Sequence, residues 1–454
     1  MSQPLAERRV LRRFRPSRAR FRPFALTLAL LSATSVFAGL TINAASAAKA
    51  SAKAPILVGI AAVESGPLAP YEVGAVEWPM SYIRYTNARG GIDGHPIKAI
   101  ILDGKGDPGQ TLINYEQMWT QDHVVAIIDE SFFYLPIQYM SQNSVPVFTG
   151  GANPNAYAGK YKTLFSDGGQ GPAWSAQTAY WIVKIEHRNV KNVAVQYSPG
   201  SAAFNGFIQQ YWHKLGATSV DLEPDGGPTA DCTALVLKWK SEGVQYIDMQ
   251  GQQSPQCILA ETRIGWKPPL GQGGPITSEI GEAELIGKPY IGVVAGSPNT
   301  LYTGKPIYSS PSAADRTYVG NIKHYYPTLA NYDNLNGTGI ILDYGAAVLL
   351  VTALKGTLEK YGKVTPALLV KYTQGITNFD DGLQPPILSF EPDCKTGSDG
   401  TIWGFWHYNP KPGTFIPSLY MVPTSGPHWI TNAGWLEKDK CYLSHLADKI
   451  YPNG

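Results

Sequence analysis

The chain is poor in the residue groupings on which enzymes are commonly built. It has no G-x-S-x-G elbow, no H-E-x-x-H helix and no P-loop, so acyl transfer, zinc proteolysis and nucleotide hydrolysis of those designs have no support. Gly168-Gly169-Gln170-Gly171 is glycine-rich but lacks the G-x-G-x-x-G spacing that follows a strand in dinucleotide-binding folds. The 8 histidines are scattered, and the 4 cysteines match no zinc spacing. No cofactor, no metal and no catalytic residue is therefore expected. An excess of charge is missing as well. The net charge of +2 comes from the first 48 residues, where eight arginines oppose Glu7 alone; the rest carries 29 basic and 34 acidic side chains. A mildly acidic body has no electrostatic footprint for nucleic acid or an anionic membrane surface.

Long apolar runs are limited to one. Phe24 to Leu40 follows the arginines and precedes Ala45-Ser46-Ala47. Basic, apolar and small-residue regions in that order form a signal peptide, read here as residues 1–47 with cleavage near Ala47 and Ala38 as a second site. The run is shorter than the roughly 20 apolar residues of a spanning helix and is diluted by Ser and Thr. Arg8-Arg9 matches a twin-arginine signal only weakly, and no Cys near the cleavage site offers a lipid attachment point. The body is thus expected outside the cytoplasm, where disulfides persist. Cys232, Cys257, Cys394 and Cys441 allow three connectivities; proximity in sequence favours Cys232–Cys257 and Cys394–Cys441.

From Pro55 onward, short β-rich runs alternate with helical spacing. Ile56–Ala61, Ile97–Leu102, Val124–Ile128 and Val145–Phe148 read as strands, the first a continuous apolar run of the kind buried on both faces and the third likewise buried, with helices at about 71–87 and 108–121 between them. The rhythm restarts after Gly171: helix to Ile185, strand Val193–Tyr197, helix to Leu215, strand near 218–222, a helix capped by Asp231, and strand Val244–Met249. A strong helix spans Thr338 to Tyr361, and the last 70 residues read as irregular strands and loops rich in Trp, Tyr, Gly and Pro. Alternation of this type predicts parallel sheets with right-handed crossovers, and ligands bind such sheets outside the carboxyl ends of the strands.

Several segments resemble the Leu/Ile/Val-binding protein family. They are Ser65-Gly66-Pro67-Leu68-Ala69-Pro70-Tyr71, Tyr85 through Ile97 around Gly90-Gly91-Ile92-Asp93-Gly94, Gly104-Lys105-Gly106-Asp107-Pro108, Asp231-Cys232-Thr233-Ala234-Leu235 with Gly243-Val244, and Ile286 through Val293. Their order and spacing cover about residues 55–390. The resemblance implies a type I periplasmic-binding fold: two Rossmann-like α/β lobes with parallel sheets joined by crossing strands. The expected division is 54–172 plus 298–390 for one lobe and 173–297 plus 391–454 for the other. It also implies a monomer that takes a small molecule into the interlobe cleft and delivers it to the membrane permease of an ABC importer.

Carried over residue by residue, the resemblance places a ligand carboxylate against Ser131 and the Gly151-Ala152-Asn153 turn, with Ser65 nearby and Tyr71 covering the ligand. Any residue from Glu130 to Tyr134 is open to take the role of Ser131, and Phe132 adds aromatic surface. The second lobe departs from the pattern. Where amino-acid binders of the family hold the ammonium with Tyr and Glu, this chain offers Ala203, Phe204, Gln252, Gln253 and Gln272. An ammonium left without its charged partner in a closed site costs several kcal/mol. Branched-chain amino acids are therefore not expected as ligands; a partly apolar, aromatic or carboxylated molecule fits better. An amino compound held by Asp129 or Glu130 stays open, as does a ligand-sensing module feeding a separate receptor.

Overall fold

The computed structural model describes residues 53–66, 69, 72, 74–131, 135–150, 154–168, 172–227, 229–274, 283, 286–297, 312–329, 338–398, 402–408, 419–423 and 441–450. The expected signal peptide, the residues 67–68 and 70–71, the aromatic run 132–134 and the turn 151–153 lie outside the described residues.

The first sheet is five-stranded and wholly parallel. Its strands are β1 (Ile56–Ala62), β2 (Ile97–Asp103), β3 (Ile127–Glu130), β4 (Val147–Thr149) and β5 (Leu164–Ser166), in the order β2-β1-β3-β4-β5. The intervening helices are α1 (Glu77–Ala88), α2 (Pro108–Thr120) and α3 (Ile137–Gln142). The start of α2 follows from its sequence: Asp107 accepts the N–H of Gln110, and Pro108 supplies a preset φ where no donor is needed. Successive residues of β1 face opposite layers. Val58 and Ile60 share a core with Ala346, Leu349, Leu350 and Ala353 of the long helix Thr338–Tyr361, while Ala61 joins Tyr115 and Met118 of α2. Gly59 is required on the α2 face, because a Cβ there would meet Met118 Sδ at 2.5 Å.

The chain then passes through α4 (Pro172–Tyr180), continued by one π turn at Trp181–Ile185. Ala176, Ala179, Trp181 and Ile182 share one core with Leu164 of the first sheet and with Val193, Val195 and Trp212 beyond it. The second sheet begins with parallel strands β6 (Asn192–Tyr197), β7 (Ser219–Pro224) and β8 (Tyr246–Gln250), in the order β7-β6-β8. These alternate with α5 (Asn205–Lys214), α6 (Thr233–Ser241) and α7 (Ser254–Ile264). A parallel bridge from Ile247 to Gln272 extends this sheet to β9 (Gly273–Gly274) and β10 (Val294–Ser297). Cys232–Cys257 links the start of α6 to α7.

After β10 come α8 (Ala313–Tyr325), α9 (Thr338–Tyr361), α10 (Pro366–Gln374), and the antiparallel strands β11 (Thr377–Phe379), β12 (Ile387–Glu391) and β13 (Cys394–Lys395). Residues 391–454 divide between the two sheets. Strands β14 (Ile402–Tyr408) and β15 (Leu419–Pro423) add to β10 antiparallel, burying Trp403 and Trp406 in the core. Helix α11 (Tyr442–Ile450) packs against β13 and the 3-10 turn Pro154–Tyr157 that precedes β5. Cys394–Cys441 anchors its start, Ser444 Oγ donates to the Tyr157 carbonyl, and Asp448 accepts the Gly159 N–H at 2.8 Å. The buried Lys395 completes this corner by donating to the carbonyls of Tyr161 and Leu164 at 2.7 and 3.0 Å.

Four readings from sequence need correction. The third strand is not Val124–Ile128 but Ile127–Glu130, because its ladder with β1 begins at Gly59–Ile127 and pairs Ala62 with Glu130. Helix α8 has no counterpart among the expected elements, yet Ser312 and Asp315 form a capping box at its start. The helix α11 lies within a tail expected to be irregular. Asp231 accepts the N–H and hydroxyl of Thr233 but precedes the helix boundary by one residue.

Candidate functional site at the carboxyl edges of the parallel sheets

In the first sheet, register aligns Ala61, Asp129, Thr149 and Ser166, with Ala62 and Glu130 one residue beyond, and this is where parallel strands present their carboxyl ends. The edge is unusually acidic. Asp129 and Glu130 are adjacent on β3 and point to opposite faces, as an extended chain requires. Asp129 faces α2: Tyr115 donates its hydroxyl to Oδ2 at 2.5 Å, and the hydroxyl and N–H of Ser131 donate to Oδ1 at 2.7 and 3.1 Å. Burial raises its pKa, and these hydrogen bonds oppose the rise.

Glu130 faces α9. It is 4% exposed, and its side chain is hydrogen-bonded to Asp343, the one charged residue in the mostly apolar first four turns of that helix. Burial is the main reason that its carboxyl titrates well above the usual range, and the negative charges of Asp343, Asp129 and Glu72 add to it. Asp343 is pushed up to about 7 by burial, with the hydrogen bond to Glu130 acting the other way. Two carboxyl groups in a hydrogen bond cannot both ionise cheaply, so the pair shares a proton. Glu130 Oε1 has no hydrogen-bond partner.

A second buried pair lies two residues further along α9. Asp167, which follows β5, is raised by burial and by the charge of Asp381, while burial takes Asp381 to about 6. Gln384 donates to Asp167 Oδ2 at 3.1 Å, and a Cβ at Gly345 would run into the Asp167 carboxyl. This pair is closed by packing. Sequence reasoning missed Asp167, Asp343 and Asp381; the available signal was an aspartate interrupting the apolar run Ile340-Ile341-Leu342-Asp343-Tyr344-Gly345-Ala346-Ala347.

The structure brings together Glu130 and Ser131 at this edge, with Ser65 near the ends of β1 and β2. Ser65 lies in the loop after β1, where its hydroxyl and N–H, with the N–H groups of Glu64 and Lys105, converge on Asp103. Burial works against the Asp103 charge, but the hydrogen bonds from Ser65, Lys105 and Glu64 outweigh it and hold the carboxyl below its usual range. Ser131 is fully buried, and both of its donors serve Asp129. Tyr71, Phe132, Gly151, Ala152 and Asn153 belong to the undescribed residues.

In the second sheet, Pro224, Tyr197 and Gln250 share the carboxyl edge. Gln253 is buried there. Its Oε1 accepts from Gly226 and Gln196, and its Nε2 donates to the carbonyls of Ala230 and Asp231. Gln252 gives its N–H to Asp225 at 2.7 Å. Asp225 is raised by burial against the N–H groups of Gln252, Gly227 and Gln253. Phe204 is wholly buried in the core, Ala203 is exposed, and Gln272 is buried on the bridge to β9 beside Glu261, whose pKa burial lifts to about 8. Gln253 and Phe204 thus serve the scaffold: one closes the β7–β8 loops and the other fills core volume.

A cavity of about 420 Å³ lies at the opposite, amino edge of the first sheet, lined by residues that include Ala54, Pro55, His95, His123 and Lys363. It is remote from the carboxyl ends, and its His and Lys side chains are not buried. No group of three His, Cys, Asp or Glu among the described residues is arranged to hold a metal ion. No helix among them is long and apolar enough to cross a membrane.

The sequence profile described as periplasmic binding protein matches residues 55–401. The chain belongs to the periplasmic binding protein family. Members are extracytoplasmic solute-binding proteins of ABC transporters, a class normally without enzymatic activity, and the resemblance to Leu/Ile/Val-binding proteins holds. Among curated protein sequences none matches. In fold the family member is similar to a branched chain amino acid ABC transporter from Thermus thermophilus with bound valine, at 14% identity and TM-score 0.70, over 88% of this chain and 99% of that one. It is also similar to a fatty acid ABC transporter substrate-binding protein from Thermomonospora curvata (18%, TM-score 0.65, 81% and 91%). A third is a solute binding protein of an ABC transporter from Rhodopseudomonas palustris BisB5 in complex with 3,4-dihydroxy benzoic acid (16%, TM-score 0.62, 82% and 96%). At these identities the likeness concerns the fold, and solutes as different as valine and dihydroxybenzoate are bound on it.

Proposed function

We propose that this periplasmic binding protein captures one small, partly apolar solute between the carboxyl edges of its two parallel sheets and delivers it, as a monomer, to the membrane permease of an ABC importer. Family membership carries the class, and the concentration of buried polar groups at the first sheet's carboxyl edge supports the location. The solute is not a branched-chain amino acid held in the family's usual way. At the second sheet's edge the loop carries Gln250, Gly251 and Gln252 where a carboxylate side chain would be needed to hold an ammonium, and the nearby Asp225 is engaged by backbone N–H groups. A polar group in a closed site without its partner costs binding energy, so this substitution changes the solute chemistry.

Native mass spectrometry of the exported, processed protein tests the reading. One solute molecule per monomer is expected, released on unfolding. Protein that carries no solute and gains none from a periplasmic extract would overturn it, and binding of leucine in preference to other solutes would overturn the exclusion of branched-chain amino acids.

A further inference from the structure

We infer that Glu130, backed by Asp343, holds a protonated nitrogen of the solute at the first sheet's carboxyl edge. This rests on the capture reading above and names the chemistry of that site. Glu130 Oε1 is a buried acceptor without a hydrogen-bond partner at the place where parallel α/β sheets receive ligands. The neighbouring Asp129 is differently placed, because Tyr115 and Ser131 supply it with three donors. No Lys or Arg among the described residues forms an ion pair with Glu130 or Asp343; the ion pairs found involve Lys53, Lys238, Arg263 and Lys355 elsewhere. A hydrogen-bonded carboxyl pair that shares one proton carries one negative charge. One ammonium or amidinium neutralises that charge and donates to Oε1, without moving a proton.

A solute carboxylate fits this place badly. The hydroxyl and N–H of Ser131, the donors it would need, are turned to Asp129, and it would approach Glu130 and Asp343 with like charge. The pair Asp167–Asp381 also keeps buried oxygens without a partner, Asp167 Oδ1 and Asp381 Oδ2, but it is packed against Gln384 and the backbone at Gly345, and neither residue lies on a strand of the first sheet. Polarity at the first sheet is therefore opposite to what the family resemblance implied: the cationic end of the solute, not its carboxylate, meets β3.

The test uses the processed protein and its Glu130→Gln variant, both unfolded and refolded to remove bound solute. Each is incubated with three matched series of compounds that share side chains: amino acids, the corresponding decarboxylated amines, and the corresponding deaminated acids. Retained compounds are identified by mass after gel filtration. The wild type is expected to retain compounds with a basic nitrogen, and the variant to lose at least tenfold of that retention while melting no lower than the wild type. Retention of deaminated acids, or equal retention of the amine by the variant, would sink the inference and leave capture intact. Retention of nothing by the wild type would overturn capture and the inference together.

Discussion

At the carboxyl edge of the second sheet, Gln253 alone ties Gln196, Gly226, Ala230 and Asp231 together, whereas at the edge of the first sheet Glu130 keeps a buried oxygen without a partner. The two edges come from similar sequence rhythm and similar parallel strands, and both are rich in polar side chains. They differ at these two side chains: the Gln253 amide is fully used, whereas Glu130 Oε1 is not, although Gln250 Nε2 at the second edge also lacks a partner. Polar groups that satisfy one another hold a loop in place and stabilise the fold. A buried acceptor beside a second carboxyl group works against the fold, and such conflicts are retained where function requires them. Polar residue type at a predicted ligand loop is thus a weak guide; the number of hydrogen-bonding partners left open is a stronger one.

Substitutions at Gln253 and at Glu130 should therefore act with opposite sign on stability. The largest effect belongs to the second edge. Replacing Cys232 and Cys257 by Ser removes a crosslink with a sequence separation of 25 and also the sulfur facing Gln196, and should cost about 3–4 kcal/mol in denaturant unfolding. A loss under about 1 kcal/mol would show that the α6–α7 corner is held by packing alone. Next is Gln253→Ala, which leaves two N–H groups and two carbonyls short of a partner. A loss of roughly 2–3 kcal/mol is expected, and the protein should unfold in the same single step.

Glu130→Gln should do the reverse. A carboxyl group whose pKa is raised in the fold binds its proton more tightly folded than unfolded, so its contribution is complete below the unfolded value near 4.3 and is lost as pH rises through the folded value. Gln keeps a donor for Asp343 and removes that loss. The variant and the wild type should melt together near pH 4, and the variant should gain with rising pH. The gain should exceed about 1 kcal/mol at pH 8, since holding a proton tenfold more tightly already corresponds to about 1.4 kcal/mol. A variant less stable at pH 8 than at pH 4, relative to wild type, would show that Glu130 is a favourable structural group and would erase the contrast between the edges. The smallest effect is expected for Ser131→Ala, about 1 kcal/mol, since Asp129 keeps the Tyr115 hydroxyl.

Much of the fold is legible in the sequence because its central strands, such as β1, are apolar on both faces and its turns carry Gly and Pro. Ile56–Ala62 and Thr338–Tyr361 stand out, and of three possible disulfide connectivities the one favoured by proximity is the one the structure bears out. The site is harder to read. Asp129 and Glu130 look like the start of a loop, because a carboxylate is an improbable member of a buried strand; only the pairing of Ala62 with Glu130 shows that they are its end. The partner of Glu130 lies 213 residues away on a helix that packs under the sheet, and no local pattern announces that distance. Gln253 misleads for the complementary reason: an amide at a ligand loop has the same appearance in sequence whether it faces solute or closes the loop.

The solute-bound crystal structure would examine this contrast directly. A basic nitrogen of the solute within hydrogen-bond distance of Glu130 Oε1, with Gln253 keeping its four backbone and side-chain partners, is the expected result. A solute carboxylate at that position, or a solute whose polar atoms reach only the second sheet's edge, would contradict it.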